Sequence, residues 1–323
     1  MQDRYKRKID YMRVSVTDRC NLRCRYCMPE RIESVEMKEL LTYEEITNVV
    51  RAAQKLGISR IKITGGEPLV RRGIDTLVNM LKCIPGIEEV TITTNGVLLN
   101  DQLDDLVRSG IDGINISLDT LDPDRYRQIT GFDKLKDVRS GIEAALKYDI
   151  PIKINAVSLK SDDVDDLIGL TKDRDIDVRF IEMMPIGMGK GFPGIPHDEL
   201  IPMISDRYGQ LQPDRARHGN GPAEYYRISG FRGCIGFISA IHKKFCDSCN
   251  RIRLTSQGFL KSCLCYDTGV DVKETLRSGK PEQEIFSRLG SDIEQCIFLK
   301  PDSHSFLQGE KISEKHAMSS IGG

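Results

Sequence analysis

The sequence predicts an α/β fold in which six strand–helix units form an incomplete, open barrel of parallel strands. Between residues 12 and 183, six short runs rich in Val, Ile and Thr alternate with stretches long enough for a helix. A repeated strand-then-helix pattern is typical of parallel strands joined by right-handed crossovers. Six units in about 175 residues fall short of the eight units and about 250 residues of a closed TIM barrel. We therefore expect an incomplete (β/α)6 barrel of the TIM type.

The predicted elements follow one another along the chain. The six strands are residues 12–16, 60–64, 89–93, 113–117, 152–157 and 178–181. Thr42 and Glu45 have the pattern of a capping box, and the helix they begin is predicted to end at Gly57. Asn100 is predicted to cap a second helix, which ends before Gly110. A third helix carries apolar residues at helical spacing, namely Val138, Ile142, Ala145 and Leu146.

The pattern changes after Pro185, where glycine, proline and methionine dominate a short stretch. Three further short strands are predicted beyond it, at residues 225–228, 234–240 and 252–255, and the sequence leaves open whether they are antiparallel. We therefore divide the chain into a partial barrel, residues 1–185, and a C-terminal extension, residues 186–323.

The charges of the chain nearly cancel. Of the 323 residues, 47 are Lys or Arg and 48 are Asp or Glu, which leaves a net charge of -1. This balance argues against a broad surface for nucleic acid or for an anionic membrane, but not against a local basic pocket. No apolar run approaches the roughly 18 residues of a membrane span, and residues 1–7 lack the apolar stretch of a secretory signal. We expect a cytoplasmic protein without a nucleic-acid or membrane partner.

Ten cysteines are unevenly distributed, with three in residues 20–27 and four in residues 246–265. Metal binding explains such clusters better than disulfides in a chain of this length without an export signal. Cys20, Cys24 and Cys27 follow the first strand in a C-x3-C-x2-C spacing. Three thiolates would leave one iron of a four-iron cube open, as catalytic metal sites do. The alternatives are a zinc site with a fourth ligand such as His197, or a patch of reactive thiols.

This first cysteine motif resembles that of the radical S-adenosylmethionine (SAM) enzymes, whose C-x3-C-x-aromatic-C loop holds a 4Fe-4S cluster. The aromatic position is Tyr26, and Gly66 lies in a Gly-Gly-Glu-Pro motif that in this family contacts SAM. Ser117 and Met184 match two further SAM-contacting positions. The resemblance implies a 4Fe-4S cluster and SAM as cofactors on a partial (β/α)6 barrel.

A second set of cysteines has the spacing C-x2-C-x13-C. It consists of Cys246, Cys249 and Cys263, and these would hold a second 4Fe-4S cluster with one open iron for a substrate. Zinc is the alternative, with Cys265 as a fourth ligand.

The two sets together resemble one branch of the superfamily, the GTP 3',8-cyclases of molybdenum cofactor biosynthesis. The matching stretches are residues 14–29, 117–122, 179–185, 246–255 and 318–323. The resemblance implies that GTP binds between the clusters, with guanine at the second one. The positions it assigns to GTP are Arg13, Lys62, Thr93, Lys153, Arg251, Ile252 and Arg253. We expect the cations for the phosphates at the carboxyl ends of strands, where the candidates are Arg13, Lys62, Arg71, Arg72, Lys153, Arg251 and Arg253. Lys62 departs from the family, which usually has Arg there, and a lysine lacks the bidentate fork.

The C-terminal Gly322 and Gly323 would ordinarily form a frayed tail. In the family this tail enters the active site, so the resemblance implies that both glycines, with Arg251 and Arg253, serve catalysis. We expect the remaining cysteines, Cys83, Cys234 and Cys296, to be buried structural thiols.

The resemblance also implies a lyase mechanism. Reductive cleavage of SAM gives a 5'-deoxyadenosyl radical that abstracts H3' of GTP, and C3' then bonds to C8 to form (8S)-3',8-cyclo-7,8-dihydroguanosine 5'-triphosphate. The electron donor is not identified by the sequence, and a homodimer is a hypothesis. Two other readings stay open: a radical SAM enzyme that modifies a peptide with an auxiliary cluster, and a non-catalytic iron–sulfur or zinc protein.

Overall fold

The computed structural model describes residues 1–28, 35–307, 312–314 and 316–322. Twelve strands are present in this part of the chain: β1 (Tyr11–Ser15), β2 (Arg60–Thr64), β3 (Glu89–Thr94), β4 (Gly113–Ser117), β5 (Ile152–Val157), β6 (Ile176–Ile181), β7 (Gln212–Asp214), β8 (Glu224–Arg227), β9 (Ile235–Ile238), β10 (Arg251–Leu254), β11 (Phe259–Lys261) and β12 (Gly269–Asp271). The α-helices are α1 (Tyr43–Lys55), α2 (Ile74–Lys82), α3 (Leu99–Arg108), α4 (Pro123–Thr130), α5 (Leu135–Ala145), α6 (Ser161–Gly169), α7 (His197–Tyr208), α8 (Lys273–Leu276) and α9 (Glu282–Phe298).

All twelve strands belong to one sheet, in the order β12-β11-β10-β1-β2-β3-β4-β5-β6-β9-β8-β7. Strands β1 to β6 are consecutive parallel neighbours, which confirms the incomplete (β/α)6 barrel. The C-terminal region continues the same sheet on both edges, because β10 pairs in parallel with β1 and β9 pairs in parallel with β6. Among the described residues β9 and β10 are not paired with each other, so the barrel stays open.

The C-terminal strands therefore have mixed directions. The β8–β9 pair is antiparallel, as are the β7–β8, β10–β11 and β11–β12 pairs. Among the described C-terminal strands, only β9 and β10 have a parallel partner, which is β6 for β9 and β1 for β10.

Helix α1 begins with the predicted capping box, in which Thr42 accepts from the amide of Glu45 and Glu45 accepts from the amide of Thr42. The prediction that Asn100 caps α3 is wrong, because the helix already begins at Leu99. Because α3 begins earlier than predicted, Leu99 belongs to the helix, and its side chain is fully buried in the core. The asparagine that bonds the preceding turn is Asn95, whose side chain accepts from the amide of Val97 at 3.0 Å.

Alternation along the strands separates the core from the barrel interior. In β1, Met12 and Val14 are fully buried against the helical layer, whereas Tyr11 and Arg13 line a central cavity. This period of two is what places polar side chains inside the barrel. Within the described part of the chain, no helix combines the length and apolar character of a membrane span.

Candidate active site

A cavity of about 760 Å³ fills the interior of the open barrel. It is lined by inward-facing residues of β1 to β6 and β10 and by the loops that contain both predicted cysteine sets. Its size falls within the usual range for small-molecule sites, about 300–1,000 Å³.

The first cysteine set lies in the loop after β1, and all three thiols line the cavity. A tight turn shapes this loop, since the amides of Cys27 and Met28 donate to the carbonyl of Cys24 at 2.9 and 3.0 Å. Burial, together with the neighbouring Cys20, raises the pKa of Cys27 to about 12. None of the three is in a disulfide. The thiolate forms of three neighbouring cysteines need a cationic partner. The three thiols therefore fit an iron–sulfur cluster, one side of which would face the cavity.

Tyr26, between these cysteines, is held by Asp119. Its hydroxyl donates to Asp119 Oδ2 at 2.6 Å, while Asp119 Oδ1 accepts from the amide of Val157 at 2.9 Å. Burial raises the pKa of Asp119 to about 6 despite these bonds. The pair connects the cysteine loop to the carboxyl ends of β4 and β5.

The Gly-Gly-Glu-Pro loop packs directly on the cysteine loop. A Cβ at Gly66 would lie 2.5 Å from the carbonyl oxygens of Asp18 and Arg19, so only glycine fits this contact. Glu67 ties the loop to the end of β3, because its carboxylate accepts from the amide of Asn95 at 2.6 Å and from Thr94 Oγ1 at 2.7 Å. Burial raises the pKa of Glu67 to about 7.

The second cysteine set lies at the other end of the cavity. Cys246 and Cys249 precede β10 and Cys263 follows β11, and all three line the cavity. Burial alone would raise the pKa of Cys249, but Arg251 and Lys300 overcome this effect and lower it to about 6. The three free thiols therefore also fit a metal cluster that faces the cavity.

Cys265 differs from this set in its position. It is fully buried in a small hydrophobic cluster with Ile186, Phe306 and Ile321, against which Cys263 packs, and it does not line the cavity. The backbone amide of His304 instead donates to the sulfur of Cys246 at 3.4 Å. The described residues thus bring three, not four, cysteines to this end of the cavity.

Cationic side chains line the cavity between the two cysteine sets. They include Arg13, Lys62, Lys153, Arg179, Arg251 and Arg253. Burial, with help from Arg13 and Arg251, lowers the pKa of Arg253 to about 9. Burial and the neighbouring Arg179 and Arg13 lower the pKa of Lys62 well below its ordinary value. Cations that disfavour one another in this way are suited to a ligand with several negative charges.

The sequence placed these cations at the carboxyl ends of strands, and this position is wrong. Lys153 is the second residue of β5 and Arg251 the first residue of β10. Alternation along each strand, not its end, turns these side chains inward. Arg71 is not part of the cavity, since its guanidinium donates to the carbonyls of Val16 and Leu41 at 2.6 and 2.7 Å.

Not all of the remaining predicted site residues line the cavity. The cavity is also lined by Thr93, Ser117 and Met184. Ile252 is fully buried in the main hydrophobic core, so its side chain does not face the cavity. The carbonyl of Gly322 accepts a hydrogen bond from Arg253 Nη1, whereas Gly323 lies outside the described residues.

Cys83, Cys234 and Cys296 were predicted to be buried structural thiols. Cys234 and Cys296 are buried, but Cys83 is exposed, with its sulfur 3.3 Å from Asn79 Oδ1, so the prediction of a buried Cys83 is wrong. It follows the last turn of α2, on the solvent side of the helical layer. His197, the alternative zinc ligand, is buried beside Ser239 at 2.7 Å and does not line the cavity.

Several residues that line the cavity were not predicted from the sequence, namely Glu67, Asn115, Asp119, Arg179, Lys300 and His304. Three of them carried a readable signal, because Asn115 and Arg179 occupy inward positions of predicted strands and Asp119 follows β4 by two residues. Arg179 Nη2 donates to Asn115 Oδ1 at 2.8 Å inside the barrel.

The chain is similar to known proteins in both sequence and fold. Residues 14–173 match the model of the Radical SAM superfamily, and residues 176–306 match the model named Molybdenum Cofactor Synthesis C. The crystal structure of Streptococcus suis SuiB bound to S-adenosylmethionine has a TM-score of 0.62 at 15% identity, over 94% of this chain and 68% of that one. The structure of anSMEcpe with bound AdoMet and Kp18Cys peptide has a TM-score of 0.50 at 16% identity, over 61% and 59% of the two chains. Fold and first cysteine loop thus define a radical SAM protein.

Curated relatives give the family within this class. The GTP 3',8-cyclase of Clostridium perfringens strain 13 is 43% identical over 327 residues, and that of Pelotomaculum thermopropionicum is 44% identical over 331 residues. Both alignments cover 100% of this chain and 100% of the relative. This chain belongs to the GTP 3',8-cyclase family.

Proposed function

We infer that this chain is a radical SAM GTP 3',8-cyclase and catalyses the first step of molybdenum cofactor biosynthesis. The observation that carries this inference is full-length similarity to curated GTP 3',8-cyclases in a chain with two three-cysteine sets at opposite ends of one cationic cavity. The product is (8S)-3',8-cyclo-7,8-dihydroguanosine 5'-triphosphate, and the reaction class is that of a lyase.

Two 4Fe-4S clusters and SAM are the proposed cofactors. Cys20, Cys24 and Cys27 would hold the first cluster, and the second set, Cys246, Cys249 and Cys263, would hold the second. When bound, the first cluster and SAM supply the 5'-deoxyadenosyl radical that removes H3' from GTP. Tyr26, Gly66, Ser117 and Met184 are proposed to position SAM.

The chain itself binds and orients the substrate. Arg13, Lys62, Thr93, Lys153, Arg251 and Arg253 are proposed to contact GTP. Guanidinium forks bind phosphate with two parallel hydrogen bonds, and a fixed geometry brings C3' and C8 into a reactive arrangement. Arg253 also holds the tail through the carbonyl of Gly322. We propose that Gly322 and Gly323 close the cavity beside the substrate. A Cβ on Gly322 would lie 3.1 Å from Thr64 Oγ1, so a side chain there would crowd the end of β2.

The test is anaerobic reconstitution with iron and sulfide, followed by incubation with dithionite, SAM and GTP. We expect 5'-deoxyadenosine and the cyclised nucleotide in equal amounts. Absence of both products from an enzyme that holds about eight irons per chain would contradict the proposal.

A peptide-modifying radical SAM enzyme is the second reading, since solved structures of similar fold include SuiB bound to its precursor peptide. Likeness at 14% identity concerns the fold alone. GTP should accelerate SAM cleavage and added peptides should not. A non-catalytic zinc protein would instead contain zinc and little iron.

Other features stay predictions: cytoplasmic location, a homodimer, an electron donor that the sequence does not identify, and the division into residues 1–185 and 186–323.

A further inference from the structure

One cysteine that belongs to neither cysteine set lies in a cluster of metal-ligating side chains. Cys234 directly precedes β9 and is 2% exposed. Its sulfur lies beside His218, from the loop of residues 217–222 between β7 and β8, and Asp177, from β6. The candidate ligand atoms of the three residues are all within 4.8 Å of one another. The fold therefore brings a thiol, an imidazole and a carboxylate together from three separate segments.

The distances within this cluster are close to those of a tetrahedral zinc site. His218 Nδ1 is 2.8 Å from Asp177 Oδ2. Ligands that bind a tetrahedral ion through bonds of about 2.0–2.3 Å, the usual lengths for zinc, stand about 3.5 Å apart. Small rotations of the three side chains therefore suffice to admit the ion. Three protein ligands leave the fourth position of the ion to a water molecule.

The groups around the cluster hold two of these side chains in the form that a metal ion needs. His218 Nε2 lies 3.2 Å from Asp214 Oδ2, so this carboxylate can accept the proton of Nε2 and leave Nδ1 free to ligate. The amide of Cys234 donates to Asp177 Oδ1 at 3.2 Å, which leaves Oδ2 for the ion. A carboxylate behind a ligating histidine, and a hydrogen bond on a ligating carboxylate, are typical of protein metal sites.

Charge and donor type favour zinc. The thiolate of Cys234 and the carboxylate of Asp177 balance the two charges of a divalent ion. The further carboxylate, Asp214, is compensated by an ion pair with Arg227 Nη2 at 2.7 Å. Binding releases the thiol proton, since a thiol that coordinates a metal is deprotonated. A thiolate together with an imidazole suits zinc, whereas magnesium and calcium take oxygen ligands.

We propose that Asp177, His218 and Cys234 bind one zinc ion, with Asp214 orienting the ring of His218. The ion joins β6 and the residue before β9 to the loop of residues 217–222, which lines the main cavity. Its role is to hold this loop against the barrel. None of its ligands is among the proposed cluster, SAM or GTP residues, so the proposal is independent of the proposed function.

The experiment measures zinc in the holoenzyme after reconstitution with iron and sulfide, incubation with zinc and removal of unbound metal. We expect about one zinc in addition to about eight irons per chain. Zinc X-ray absorption should show one sulfur neighbour at about 2.3 Å and nitrogen or oxygen neighbours at about 2.0–2.1 Å. Zinc that has entered one of the cysteine sets would instead show three sulfur neighbours.

Variants test the ligands one at a time. Cys234→Ala and His218→Ala should reduce zinc to near zero with iron unchanged, and the retained iron shows that the chain has folded. The matched control is Cys296→Ala, because Cys296 is also a fully buried cysteine outside both sets and packs in the main hydrophobic core. This control should keep its zinc. If a variant also loses iron, the X-ray absorption of the wild type decides alone.

No zinc in the wild-type holoenzyme, zinc with three sulfur neighbours, or zinc retained by Cys234→Ala would overturn the site. The side chains would then only hydrogen-bond one another, as Cys234 Sγ and Asp214 Oδ2 do at 3.3 Å. These results are distinct from a failure of the proposed function, in which the same holoenzyme would show no GTP-dependent SAM cleavage.

Discussion

Tyr11, the first residue of β1, is paired with Arg251, the first residue of β10, and the two strands are parallel. The first cysteine set follows β1, whereas Cys246 and Cys249 precede β10 and Cys263 follows its antiparallel neighbour β11. The two sets therefore lie at opposite ends of one strand pair. Five residues at about 3.3 Å each separate these ends by roughly 16 Å. This distance leaves room for a nucleotide between the two sets, and the cations of β1, β2 and β10 lie along that space.

The alanine variants of Cys263 and Cys265 should differ in the amount of iron that they bind. We expect Cys263→Ala to lower iron from about eight to about four atoms per chain, because it removes a ligand of the proposed second cluster. Cys265→Ala should keep about eight, since Cys265 is buried away from the cavity. Iron and sulfide analysis after identical reconstitution gives the answer, and equal loss in both variants would refute the ligand assignment.

Gly322 should not tolerate alanine. Its φ is +74°, and a Cβ would lie 3.1 Å from Thr64 Oγ1 and 3.2 Å from Ser15 Cβ. Displacing the tail by about 1 Å should reduce cyclisation roughly 10- to 100-fold without loss of iron. Gly230→Ala is the control, because Gly230 has a φ of +80° but open space around it. Similar turnover losses in the two variants would mean that backbone strain, not position in the active site, is responsible.

Replacing Lys62 by an apolar residue should raise the stability of the chain and weaken GTP binding. Lys62→Met removes a buried charge among other cations, so the thermal midpoint without GTP should rise by a few degrees while GTP affinity falls about 10-fold or more. Lys62→Arg should keep GTP binding. Differential scanning fluorimetry and calorimetry measure the two effects, and unchanged GTP affinity in Lys62→Met would exclude Lys62 from the binding site.

The same residue predicts a pH dependence. Burial is the main cause that lowers the pKa of Lys62 well below 10.5 in the folded chain. Between this lowered pKa and 10.5, the unfolded chain therefore binds one more proton than the folded chain. Stability should therefore rise as the pH increases toward 10.5. The rise should be smaller in Lys62→Met, and equal slopes for the two proteins would show that Lys62 is not the group responsible.

Tyr26→Phe tests the bond to Asp119. Removing the hydroxyl leaves the buried carboxylate of Asp119 without its 2.6 Å donor. We expect SAM affinity to fall about 10-fold with iron content unchanged, as measured by equilibrium dialysis with labelled SAM. A change in iron content, with SAM affinity per cluster retained, would contradict this role and would mean that Tyr26 supports the cluster and does not position SAM.

The sequence predicted the parts of the molecule that repeat or have fixed spacing. The parallel strands follow from alternating apolar runs, and the six proposed ligands follow from cysteine spacing. The edges of the sheet were not predictable, because the pairing of β10 with β1 joins residues about 240 positions apart and leaves no local periodicity. The loop of residues 217–222, between β7 and β8, has no periodicity either, and the contacts of Asn220 with Glu89 and of His218 with Asp177 place it at the cavity.

The most direct test of the proposed function is hydrogen transfer from the substrate to the cofactor. With GTP deuterated at C3', the reconstituted enzyme should produce 5'-deoxyadenosine that carries one deuterium, detected by mass spectrometry, together with a cyclised nucleotide that lacks it. Unlabelled 5'-deoxyadenosine in the presence of turnover, or label transferred only from a different ribose position, would contradict the account.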